Sequence, residues 1–268
     1  MKPSNSKSNI RQKSSDDFDI PFQRLLWLET LEWYLQFRPL SRWPHQQRQK
    51  KLHIQATTMK LIYFHGFGSS GASGTVNLLR KIFPSGEIIA PDIPVDPEEA
   101  LPMLKQLVDE EQPDVIIGTS MGGMYAQQMR GHLRLCINPA FRMSTMSKVL
   151  HTGTHKWFNG RKNHEKEFKL TKEIIQHFNQ MERHQFEGIT PEDKELCYGL
   201  FGINDTVVNP VNLYNAFMKY YTHGERFEGE HRLNEKVLKK VVLPLLKKLL
   251  GEKYEEAIKE PLPDYMKG

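Results

Sequence analysis

The chain has little cysteine, no long apolar run and, over most of its length, no excess of charge. Only Cys136 and Cys197 occur in 268 residues. So few thiols argue against a disulfide framework and against a cysteine-built zinc site. Each lies inside an apolar run, which fits buried, reduced thiols in a cytoplasmic protein. No apolar run reaches the roughly 18 residues that a membrane span needs. The best candidate, Leu25 to Phe37, is shorter and carries Glu29 and Glu32. The first 19 residues lack the apolar core of a secretory signal. Glycine (18) and proline (16) stand near ordinary usage, so collagen-like and low-complexity readings are out.

The formal charge of +5 is not spread evenly. Residues 1–58 hold 10 Lys+Arg against 5 Asp+Glu, whereas residues 59–268 hold 27 of each. The larger part is neutral and offers no electrostatic reason to expect nucleic acid. The chain therefore divides into an N-terminal extension, 1–58, and a domain, 59–268. The extension begins with a polar stretch expected to stay disordered. An amphipathic helix is expected over residues 20–38, with Leu25, Leu28, Leu31 and Leu35 near helical spacing. Met59 directly precedes the first apolar strand, so translation from Met59 is an alternative start.

Beyond residue 59, short β-rich runs alternate with helical patterns. The strand signals are Leu61–Phe64, Glu87–Ala90, Asp114–Ile117, Leu133–Ile137, Leu196–Phe201 and a weak Glu225–Phe227. The helical stretches are Thr75–Phe83, Pro97–Glu110, Met121–Gly131, Pro210–Tyr221 and Leu233–Leu250. This alternation predicts an α/β fold, a mostly parallel central sheet with helices on both faces. Residues 139–190 interrupt the rhythm. They are basic and His-rich, with a helix expected at Thr171–Met181, and they read as a small lid inserted where substrate would be covered.

Gly118-Thr-Ser120-Met-Gly122 carries the chemistry. It lies between a strand and a helix and matches the G-x-S-x-G nucleophile elbow. Such a turn lifts a serine hydroxyl above the sheet and needs small residues where backbone crowds. Independent residue usage would produce the pattern by chance about 0.06 times in a chain of this composition. The glycine spacing matches neither a Walker loop nor G-x-G-x-x-G, which leaves the phosphate-binding alternative weak. Upstream, His65-Gly66-Phe67-Gly68 follows an apolar strand. In an elbow arrangement, the backbone N–H groups of Phe67 and Met121 would stabilise an oxyanion, with His65 bracing the loop.

The expected chain order is nucleophile, acid, base. Asp205 follows the apolar run Cys197–Phe201 and is the candidate acid, although turn chemistry alone also favours aspartate there. Asn204 lacks the charge that would stabilise an imidazolium. His151, His155, His164, His177 and His184 precede Asp205 and fall in the lid. His223 and His231 follow it. His231 sits in a loop between the last strand and the last helix and is the candidate base, whereas His223 reads as a cap on the preceding helix.

With these residues placed, the chain resembles the α/β-hydrolase superfamily and, within it, the small bacterial YqiA-like esterases. The resemblance rests on Tyr63–Ser70, Gly118–Gly123, Ile137-Asn-Pro-Ala-Phe-Arg142, Asp205 and Gly229-Glu-His231-Arg232, and it covers about residues 59–250. It implies hydrolysis of a small-molecule carboxylic ester or acyl thioester by a Ser120–Asp205–His231 triad, with no cofactor and no metal. Acyl transfer to an alcohol or amine by the same triad, or an inactive binding member of the fold, are the alternatives. The extension and the lid depart from the family pattern.

Overall fold

The computed structural model describes residues 58–145 and 151–260. The helix expected over residues 20–38 and the rest of the extension to residue 57 lie outside the described residues.

Six strands form one sheet in the order β2-β1-β3-β4-β7-β8, every pair parallel. The strands are β1 (Lys60–Phe64), β2 (Glu87–Ile89), β3 (Val115–Thr119), β4 (Arg134–Ile137), β7 (Cys197–Gly202) and β8 (His223–Phe227). Chain order reverses across the first crossover: β2 lies outside β1, and later strands are added on β1's other side. The loops at the carboxyl ends of β1 and β3 therefore diverge there, at the switch point where open parallel sheets place their ligand sites.

Side chains alternate across the sheet, as the two-residue strand period demands. Ile62, Phe64, Ile116, Cys136 and Phe201 point into one apolar core. Leu61, Tyr63, Val115, Ile117, Leu135, Ile137 and Leu200 point into the other. The first core is closed by α2 (Pro97–Glu111), α3 (Met121–Ala126), α4 (Lys172–His184) and α6 (Pro210–Met218). The second is closed by α1 (Gly74–Ile82), α7 (Glu235–Leu250) and α8 (Glu252–Ala257). Parallel strands covered on both faces must be apolar on both faces, which explains the near-continuous hydrophobic runs.

Capping fixes several boundaries. Asp96 accepts the Glu98 N–H at 2.9 Å, and Pro97 opens α2. Thr190 and Asp193 form a reciprocal capping box on the short α5 (Pro191–Glu195). Within α7, residues Leu238–Val242 loosen into a π turn just before Pro244. Proline has no N–H to continue the ladder, so the register shifts there.

The insertion holds an antiparallel hairpin, β5 (Gly153–Lys156) with β6 (Glu167–Leu170), followed by α4. Its first residues pack into the main core: Ala140, Phe141 and Met143 are buried. Cys136 and Cys197 are buried free thiols with sulfurs 3.8 Å apart. Among the described residues, no helix is long and apolar enough to cross a membrane.

Candidate active site

The elbow is built by backbone crowding. Strand β3 ends at Thr119, and α3 begins at Met121, so the chain reverses direction at one residue. Ser120 takes φ 54°, ψ −119°, a region that costs a non-glycine residue of order 1–3 kcal/mol. A methyl group on Gly118 would stand 2.2 Å from the Gly122 carbonyl oxygen. One on Gly122 would stand 2.1 Å from the Phe64 carbonyl oxygen. Both glycines are therefore required by neighbouring main chain, one within the turn and one against β1. The Ser120 N–H donates to the Ile137 carbonyl at 3.0 Å, and the Ser120 carbonyl accepts from the Ala140 N–H at 3.0 Å. Beneath the turn, the buried Tyr63 hydroxyl and Thr119 Oγ1 lie 2.9 Å apart and tie β1 to β3.

The structure brings Ser120, His231 and Asp205 into one hydrogen-bonded line. Ser120 Oγ is 2.9 Å from His231 Nε2, and His231 Nδ1 is 2.7 Å from Asp205 Oδ2. The Asp205 side chain is fully buried. Its other oxygen, Oδ1, accepts the N–H groups of Val207 at 2.8 Å and Val208 at 3.0 Å. With the carboxylate accepting from Nδ1–H, Nε2 is left unprotonated and accepts the Ser120 hydroxyl. The serine oxygen can thus lose its proton to a ring that a buried carboxylate orients.

His223 does not join this line. It opens β8 rather than capping the helix before it, stacks on Tyr198 with ring centroids 4.4 Å apart, and meets Glu195 at 2.9 Å. Of the lid histidines, His177 contacts Asp96, the cap of α2, at 2.9 Å, and His184 contacts Glu187 at 2.8 Å. His155 packs against Phe168 in the hairpin.

The loop after β1 faces the nucleophile: a methyl group on Gly66 would lie 3.4 Å from Ser120 Cβ. Among the described residues, neither the Phe67 N–H nor the Met121 N–H has an acceptor, so both are available to a ligand. His65 is buried under the loop. Its Nε2 accepts the Ile93 N–H at 3.0 Å, which leaves the proton on Nδ1 to be donated to the Gly66 carbonyl at 2.8 Å. Burial drives its pKa down to about 4, and the Arg161 guanidinium adds to the effect. His65 is therefore a neutral strut at physiological pH.

Two further elements hold this loop, and the sequence offered no pattern for either. Asp92 accepts the Gly71 N–H at 2.8 Å and the Lys162 N–H at 2.7 Å. Burial opposes its ionisation, yet those two bonds and Arg161 keep its pKa below the usual value. The hairpin tip is the second element. The Phe158 N–H donates to the Gly68 carbonyl at 2.7 Å, Asn159 Nδ2 donates to Ser69 Oγ at 2.9 Å, and Ser70 Oγ donates to the Gly160 carbonyl at 2.7 Å. Phe67 packs edge-on against Phe168.

A model of the family described as "Uncharacterised protein family (UPF0227)" matches residues 60–235. Among solved structures, Est1E from Butyrivibrio proteoclasticus with ferulic acid bound is similar at a TM-score of 0.51 and 13% identity. The match covers 75% of this chain and 91% of that one. DcsB in complex with its substrate analogue is similar at 0.50 and 12%, covering 75% and 91%. At these identities the likeness establishes the fold, which is that of the α/β hydrolases.

Proposed function

Because the chain belongs to the family UPF0227 and is built on the α/β-hydrolase fold, we propose that it is a serine hydrolase cleaving carboxylic ester or acyl thioester bonds through an acyl-enzyme. One observation carries the reading: the unbroken line from Ser120 Oγ through His231 to the buried Asp205, at 2.9 and 2.7 Å.

In this reading Ser120 Oγ attacks the substrate carbonyl while His231 Nε2 takes its proton. Asp205 fixes the imidazole tautomer and stabilises the imidazolium, without itself becoming protonated. The carbonyl oxygen gains negative charge and is held by the N–H groups of Phe67 and Met121. Removing one such donor costs about 3 kcal/mol in a well-studied case. The tetrahedral adduct collapses, and the alcohol or thiol leaves with the proton from His231. Water then attacks the acyl-Ser120 carbonyl, giving its proton to His231, and Ser120 leaves with that proton to restore the resting enzyme. Residues 59–268 form the catalytic domain, with the hairpin and α4 of the insertion as the lid.

The test is time-resolved hydrolysis of short p-nitrophenyl esters and acyl thioesters. A burst of leaving group equal to the enzyme concentration, followed by release of free acid, is expected. Release of leaving group with no free acid unless an alcohol or amine is added would identify a transferase instead. No turnover of any ester or thioester would contradict the reading.

A further inference from the structure

The turn after β4 opens with Asn138, a residue the catalytic scheme leaves without a role. Asn138 is 1% exposed and has φ 44°, a left-handed conformation for a non-glycine residue. Buried amides are expected to satisfy their hydrogen-bonding groups locally. This one does so entirely on the chain segments that carry the triad. Its Oδ1 accepts the Gly202 N–H at 2.7 Å, at the end of β7 and three residues before Asp205. Its Nδ2 donates to the Glu230 carbonyl at 2.9 Å and to the carbonyl of His231 itself at 3.0 Å. One donor on one side and two carbonyls on the other permit only this amide orientation.

The flanking residues complete the arrangement. Ile137 accepts the Ser120 N–H, and Ala140 donates to the Ser120 carbonyl, both at 3.0 Å. Residues 137–140 thus grip the nucleophile by its main chain, the acid strand by Gly202 and the base loop by two carbonyls. Approach at the last point is close. A methyl group on Gly202 would stand 2.6 Å from the Gly229 carbonyl oxygen and 2.9 Å from that of Glu230. The base loop is further fixed by Ile203 N–H to Phe227 and Asn204 N–H to Gly229, each at 3.0 Å. Those bonds end two residues short of His231. Past Gly229, the amide of Asn138 is what ties the loop's main chain to the sheet.

We propose that Asn138 is a positioning residue: its side-chain amide sets the His231 main chain at the height where Nε2 meets Ser120 while Nδ1 meets Asp205. The proposal rests on the serine-hydrolase reading of the same site. Asn138 touches neither substrate nor reacting atoms. Its loss lets the base drift, and a misplacement of about 1 Å in a catalytic group can cost about 100-fold in rate.

The experiment compares Asn138→Gly and Asn138→Ala with wild type in the full chain. Glycine accepts the left-handed backbone freely but supplies no amide, so the two roles of Asn138 separate. A residue needed only for its backbone conformation would be rescued by glycine. The proposal expects Asn138→Gly to remain folded by circular dichroism. Its kcat on a p-nitrophenyl ester should fall about 100-fold, with KM within about threefold and fluorophosphonate labelling of Ser120 slowed in parallel. The downfield proton resonance of the His231–Asp205 hydrogen bond should shift or broaden. Wild-type kcat in Asn138→Gly, or a loss confined to KM, would overturn the proposal. So would failure of Asn138→Gly to fold, because the amide would then be a requirement of the fold. Absence of labelling in wild type would instead refute the hydrolase reading.

Discussion

His65 makes acid sensitivity of this domain predictable in sign and size. Its pKa is about 4 in the folded chain against 6.5 when exposed, because burial disfavours the charged ring. Between those values the unfolded chain binds more protons than the folded one. Stability therefore rises with pH through this window and is lost as pH falls from about 6.5 to about 4. At about 1.4 kcal/mol per pH unit the whole gap is worth about 3 kcal/mol, of which about 2 kcal/mol is lost by pH 5. The physical event is protonation of Nε2, which turns the acceptor for the Ile93 N–H into a second donor facing it. A single curve does not isolate this group. The pKa of His132 is also lowered by burial, whereas that of His177 is raised, chiefly by its hydrogen bond to Asp96. The assay is thus a difference: urea midpoints at pH 8, 6 and 5 for wild type and for His65→Gln, whose amide does not titrate. With a urea slope of about 2 kcal/mol per molar, the wild-type midpoint should fall by about 1 M more than the variant's between pH 8 and 5. Parallel curves for the two proteins would show that His65 is not the group responsible.

Other outcomes follow from the same geometry. Asp205→Asn should lower kcat by up to about 10⁴-fold with little change in KM, since an amide cannot hold the imidazole in the working tautomer. His223→Ala, whose contacts are Glu195 and Tyr198, should stay within about threefold of wild type in kcat/KM. Gly122→Ala should destabilise the fold by more than about 3 kcal/mol, because the added methyl group meets β1 main chain at 2.1 Å rather than a movable side chain; thermal melting checks it. Starting the chain at Met59 should leave kcat/KM within tenfold, since every proposed catalytic group lies beyond that residue. A larger loss in soluble protein would move the extension into the active site.

What was legible in the sequence depended on whether its cause is local. The apolar runs of β1, β3, β4 and β7 announce a parallel sheet because helices cover each strand on both faces. Gly118 and Gly122 mark the elbow because main chain leaves no room for a Cβ. The β5–β6 hairpin is harder to read because each strand has only four residues: β5 is polar and largely exposed, and the alternation of β6 is too short to stand out. The α3 helix was expected to reach Gly131 but stops at Ala126. The following turn is stabilised by distant partners: Gln127 Nε2 donates to the Gln185 carbonyl, and the Gly131 N–H donates to Asp193 Oδ1. Asn138 stood in a quoted motif, yet its work lies in bonds to residues 64 and more than 90 positions away. Spacing cannot reveal partners of that kind.

A Ser120 nucleophile activated by His231 would declare itself in covalent chemistry. Wild type and Ser120→Ala would be treated with a serine-directed fluorophosphonate at pH 7.5 and analysed by intact mass and peptide mapping. One adduct per wild-type chain, located on Ser120, and none on the variant is the expected result. An adduct on a different serine, or equal labelling of Ser120→Ala, would contradict it.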